Sequence, residues 1–205
     1  ERHKDSMLTN KTTEGSIAEF RQKSEERLKR PDGWLTVVGL TWLKDGANSI
    51  GSDEKNAVHL PLSAPAQMGE ITLSNGQAKI KFSSTQNVIV DEIPAELNKE
   101  YPLLDDKSEI PTKIKVASVT FFLINRQNGI GVRIKDENAE ARRSFKEKKW
   151  FPISKDLIIS AEWMAYTEPK KIMVPDVLGN LNEETSPGLA RFIVDGQKIE
   201  LIPTV

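Results

Sequence analysis

The sequence predicts a mostly β fold, an antiparallel β-sandwich or open barrel of many short strands, with one N-terminal helix. Two observations carry this. Ser74-Asn75-Gly76, Gln127-Asn128-Gly129 and Asp195-Gly196-Gln197 each separate two runs in which apolar and polar residues alternate. Asn-Gly and Asp-Gly accept the positive φ angles of a tight hairpin turn, so each triplet marks a place where the chain doubles back. The runs between turns are also short and rich in β-branched residues, and frequent turn residues between short strands favour a sandwich or barrel.

In chain order, Glu1 to Gly15 is polar and aperiodic, and it reads as a loose tail. Ser16 and Glu19 form a capping box. Ile17, Phe20, Ser24 and Leu28 then recur at helical spacing, predicting a surface helix over about Ile17 to Lys29, laid on the sheet and stopped by Pro31 and Gly33. Residues 1–30 are thus tail plus helix, and 31–205 a single β-rich domain. Gly33 to Pro61 opens that domain. Its apolar run ends at Asp45-Gly46, and short strands at Ala47–Ile50 and Ala57–Leu60 flank a polar loop, Gly51 to Asn56.

Glu70–Leu73 and Gln77–Phe82 form the hairpin around Asn75-Gly76, and Asn87–Val90 and Tyr101–Leu104 are further strands. Lys113 to Asn125 is the first arm of a central hairpin, and Ile130, Val132 and Ile134 return along the second. Asp136 to Lys149 is a short helix or an exposed loop. Leu157–Tyr166, Lys170–Val174 and Val177–Leu181 read as strands, Asn182–Pro187 as a polar loop, and Leu189–Val194 with Lys198–Ile202 as the last hairpin.

Composition bounds the chemistry. In 205 residues there are 29 basic and 30 acidic side chains, a formal net charge of −1, which supplies no global field for nucleic acid. With no cysteine, thiolate chemistry and cysteine-held zinc or iron–sulfur sites are excluded. No apolar run approaches the ~20 residues of a transmembrane helix. A chain beginning at Glu1 is expected to be a processed or cloned piece, from which a leader could have been removed.

No catalytic motif stands out: there is no G-x-S-x-G elbow, P-loop or G-x-G-x-x-G. His59, between Val58 and Leu60, is expected to point away from the face those two share. A hydrolase with a carboxylate- or His59-based site is the alternative to a binding module. Asp91, Glu92, Asp105 or Asp106 could assemble an all-carboxylate metal site, but they lack an EF-hand pattern and read as solvated turns. No metal site and no cofactor are expected. Arg126 and Arg133 flank one hairpin turn, and two converging guanidiniums would hold a carboxylate or phosphate. Salt bridges to Asp136, Glu137 or Glu140 are the competing assignment. Trp34, Trp42, Trp150 and Trp163 would line an apolar groove or pack in the core, with the core favoured for most. The ligand-binding set is therefore Arg126, Arg133, Trp42 and Trp150. The function it suggests is a non-catalytic module for a small ligand or a protein partner.

Two stretches carry a family likeness. PDGWLTVVGLTWLKDGANSIGSDEKNAVHLP with MGEITLSNGQAKIKF, and INRQNGIGVRIKDENAEARRSFKEKKWFPI, resemble the bacterial family known as domain of unknown function 1684 over about Ile17 to Val205. That resemblance implies a mostly β fold, often in exported and hence extracytoplasmic bacterial proteins, and no established activity. Typical members continue into a further segment beyond the place where this chain ends at Val205. The layout from Ile50-Gly51 through Val58-His59-Leu60-Pro61 is also similar to a forkhead-associated domain. Phosphothreonine recognition there implies an arginine after the glycine and a serine–histidine signature further on. Ser52 and Met68-Gly69-Glu70 occupy those positions here, so the likeness extends to the scaffold and not to the phosphate site.

Overall fold

A computed structural model describes the chain except residues 1, 155, 157, 176–178 and 180. Its contacts fall into two compact units, 15–149 and 1–14 with 150–205. Helix α1 runs Arg2–Lys29, longer than the span predicted from Ile17.

In the first unit a short 3-10 turn (Trp34–Thr36) leads into β1 (Val37–Trp42), β2 (Gly46–Gly51), β3 (Val58–His59), β4 (Gly69–Ser74) and β5 (Gln77–Phe82). There follow β6 (Val88–Val90), β7 (Ile93–Pro94), β8 (Glu100–Leu103), β9 (Ile114–Val116), β10 (Val119–Arg126), β11 (Gly129–Asp136) and the short helix α2 (Glu140–Ser144). They build a six-stranded sheet, β1-β11-β10-β9-β6-β7, and a five-stranded sheet, β3-β2-β4-β5-β8. Pairing is antiparallel except for the short β2–β3 ladder, and neither sheet closes into a barrel.

The core lies between the sheets. Ile50, Val58, Ile71, Ile80 and Phe82 from one sheet meet Val88, Ile114, Val116, Val119, Phe121, Leu123, Val132 and Ile134 from the other, all buried. Period-two alternation puts them inward, and each fully buried large side chain contributes about 1.5–3 kcal/mol. The opening stretch serves both sheets, with β1 at an edge of one and β2 and β3 at an edge of the other.

The turns follow the sequence closely. Ser74 pairs with Gln77 across Asn75 and Gly76, at φ 51° and 73°, the left-handed values of a tight hairpin turn. One arm differs. Lys113 to Asn125 is two strands, not one, because Ala117 at φ 50° turns the chain between β9 and β10. An alanine–serine turn has no glycine, asparagine or proline to announce it.

The second unit contains β12 (Glu162–Pro175), β13 (Leu181–Val194) and β14 (Gln197–Leu201) in one antiparallel sheet. Val194 pairs with Gln197 across Asp195 and Gly196, as predicted. The expected loop over Asn182–Pro187 lies instead within β13. Asn182 to Ser186 pair with Val174 to Lys170, and Lys171 meets Glu183 at 2.6 Å. Polar side chains suit a strand whose faces are largely exposed, so polarity alone mislabels it as a loop. The expected start at Leu157 and the beginning of the Val177–Leu181 run lie outside the described residues.

The tryptophans are not core residues. Trp34, Trp42, Trp150 and Trp163 are 65%, 37%, 36% and 50% exposed. Trp42 lies across Gly131 on the neighbouring strand, where a Cβ would come within 2.8 Å of the indole, so only glycine accommodates it there. The inter-sheet space is instead filled by Ile, Val, Leu and Phe.

Candidate functional site

Alternation along β10 and β11 gives the six-stranded sheet an outer face as well as an inner one. Thr120, Phe122, Arg133 and Lys135 point outward, with Thr120 opposite Lys135 and Phe122 opposite Arg133. Thr120 also pairs with Lys115 on β9, which places Lys113 and Lys115 at the same end of the face. The segment leaving α1 forms a wall over this end. Gly33 folds back on the last helical turn so tightly that a Cβ would stand 2.6 Å from the carbonyls of Arg27 and Leu28. Lys135 Nζ donates to the carbonyl of Asp32 at 2.7 Å and anchors the wall.

The result is a groove of about 520 Å³ lined by Arg30, Pro31, Asp32, Lys113, Ser118, Thr120, Phe122, Lys135 and Glu137. Its charges are unevenly satisfied. Arg30 grips Asp32 with two hydrogen bonds, 2.9 and 3.0 Å, and Glu137 takes Lys115 at 2.9 Å. Among the described residues, no carboxylate lies within 4 Å of the ammonium of Lys113 or Lys135. Burial pushes the Lys135 ammonium below the ordinary lysine range; Asp32 opposes this, while Arg133 and Lys113 add to it by like-charge repulsion. The Lys135 Nζ also stands 5.8 Å from the centre of the Phe122 ring, within cation–π reach.

Arg126 and Arg133 share this outer face but stand apart. Arg126 is opposite Gly129, whereas Arg133 is opposite Phe122, four positions away or about 13 Å at strand rise. Their partners differ from those expected at 136–140. Arg126 forms a two-pronged pair with Asp106, at 2.7 and 3.0 Å, and the guanidinium of Arg133 lies 5.4 Å from the Trp34 ring centre. Burial pulls the Asp106 carboxyl upward. The Arg126 bonds, the Asn125 N–H and the charges of Arg126 and Arg133 outweigh that and hold it below its ordinary value. Trp42 is on the same face, one row beyond Leu40 and Arg133. Trp150 belongs to the second unit.

His59 and three of the candidate carboxylates, Asp91, Asp105 and Asp106, are engaged in structural bonds. His59 is exposed between buried Val58 and Leu60, as its place in the alternation requires, and its Nε2 meets the carbonyl of Ser52 at 3.1 Å. That partner is neither a nucleophile nor a carboxylate to orient the ring. Asp91 accepts from Lys113 N, Asp105 from Lys107 N and Asn125 Nδ2, and Asp106 from Arg126. Among the described residues, no three His, Asp or Glu side chains cluster as a metal would need.

The loop after β2 is likewise stitched shut. Ser52 donates its N–H to Pro65 O at 2.9 Å and its hydroxyl to Ala64 O at 2.8 Å, while Asn56 Nδ2 donates to Ala66 O at 2.8 Å. These donors hold backbone and are not turned toward an external phosphate.

No protein-family model matches the chain, and no curated protein matches it. Two solved structures are similar to part of it. One is the FHA domain of FhaA complexed with the intracellular domain of Rv3910, at 19% identity and a TM-score of 0.31, covering 45% of this chain and 84% of that one. The other comes from a structural and functional study of phosphothreonine-dependent FHA domain interactions, with the same identity, TM-score and share of this chain, and 79% of its own.

Proposed function

We propose that the chain is a non-catalytic binding module that takes a small anionic ligand in the groove on the outer face of β9, β10 and β11. One observation carries this. Lys113 and Lys135 line a concave site with no salt-bridge partner among the described residues, and Arg133 and Lys113 are close enough to raise the cost of the charge on Lys135. Like charges gathered at a partly desolvated place destabilise the empty site, and a bound anion offsets that repulsion. Lys135 is held in place by a backbone carbonyl, which leaves its remaining donors for a ligand.

Calorimetric titration of the full chain with acetate and inorganic phosphate tests the proposal. Saturable binding of at least one anion is expected, weakened about tenfold or more by Lys135→Gln and by Lys113→Gln. Binding that both variants retain in full would overturn the assignment of this groove.

A further inference from the structure

We infer that the ligand class taken by this groove is an aromatic monocarboxylate, held with its carboxylate at Lys135 and Lys113 and its ring against Phe122. The inference rests on the anion-binding proposal and narrows it.

The first argument is charge. The groove lining holds three cations, Arg30, Lys113 and Lys135, and two carboxylates, Asp32 and Glu137. Arg30 is spent on Asp32, and Glu137 on Lys115. Two ammoniums are left to recognise a ligand, while the two carboxylates remain fixed in the wall. A phosphate dianion spreads its charge over every oxygen and meets those carboxylates at short range. A monocarboxylate confines one charge to one end and can keep it at the lysine side.

The second argument is the apolar part of the lining. Phe122 is half-buried on the sheet surface, and Pro31 belongs to the wall segment. A flat ring can stack offset or edge-on against Phe122, which a hydrated oxyanion cannot use. The third is size. About 520 Å³ falls within the range of sites built for organic ligands and is far more than a bare oxyanion fills. Thr120, opposite Lys135, and Ser118 offer hydroxyl donors to the second carboxylate oxygen.

The experiment titrates the full chain with 2-naphthoate, acetate, inorganic phosphate and the neutral 2-naphthalenemethanol. Naphthoate is expected to bind at least tenfold more tightly than the other three. Phe122→Leu should erase most of that margin, with a much smaller loss for acetate, which has no ring to set against the side chain. Because Phe122 lies outside the core, a thermal melt of this variant should match the parent. Phosphate binding as tightly as naphthoate, or naphthoate binding indifferent to Phe122→Leu, overturns the aromatic assignment while leaving the anion site standing. If no anion binds, both proposals fail. If the neutral alcohol binds as well as naphthoate, the lysines are not the recognition element and the inference is overturned.

Discussion

Phe121 and Phe122 are neighbours in the chain with opposite surroundings. Phe121 is buried between the two sheets, and Phe122 lies half-exposed on the outer face among Thr120, Arg133 and Lys135. One hairpin therefore builds two chemically different surfaces. Its inner face is closed by Val119, Phe121, Leu123, Val132 and Ile134 against the other sheet, while its outer face carries Thr120, Phe122, Arg133 and Lys135 at one end and the buried Ile124 further along. The difference teaches that stability and recognition are separable by residue parity at the Thr120–Phe122 and Arg133–Lys135 end of this hairpin.

The largest expected effect tests that separation directly. Phe121→Ala should cost about 3–5 kcal/mol in urea unfolding, since it opens a cavity in a packed interior. Phe122→Ala should cost distinctly less, about 1–2 kcal/mol in the same measurement, because its half-buried ring lies outside the inter-sheet core. Equal losses would erase the distinction between the faces.

Next in size is the Arg126–Asp106 pair at the far end of the outer face. Arg126 is nearly half-exposed, so Asp106→Asn should cost about 1 kcal/mol at neutral pH. The folded Asp106 value lies below the ordinary 3.8. Its contribution is therefore present above 3.8 and lost as the pH falls through the lowered value. An acid-unfolding series should show this loss in the parent and not in Asp106→Asn.

The smallest effect belongs to Lys135. Its folded value lies below the ordinary 10.5, so within that window the unfolded chain holds the proton that the folded chain releases. Stability should then rise slightly with pH just beneath 10.5, and Lys135→Gln should flatten the rise. Anion affinity should fall over the same window, because the neutral amine no longer attracts the ligand.

Much of this architecture is legible in the sequence where signals are local. The Asn75-Gly76, Asn128-Gly129 and Asp195-Gly196 turns, the alternation of Ile130, Val132 and Ile134, and the outward place of His59 all follow from short-range rules. The Ala117 turn is illegible, because alanine at positive φ has no sequence mark. Asn182 to Ser186 mislead, because their polarity is explained only by the strand opposite them. The tryptophans mislead similarly, since one edge strand and an open sheet keep Trp42 and Trp163 at the surface.

The groove divides the same way. The β10–β11 hairpin and Arg133 stand out in the sequence, and Lys135 follows from Arg133 by parity. The wall does not, because the bond from Lys135 to Asp32 spans 103 residues. Lys113 joins the site only once the register of β9 on β10 is known.

The most direct test of the central claim is residue-by-residue NMR shift mapping of the full chain during titration with 2-naphthoate. The account predicts saturating changes at Asp32, Lys113, Ser118, Thr120, Phe122 and Lys135, with little change at Phe121-facing core residues such as Phe82. Changes centred on Ser52 to Asn56 and Ala64 to Ala66, or on Arg126 and Asp106, would contradict it.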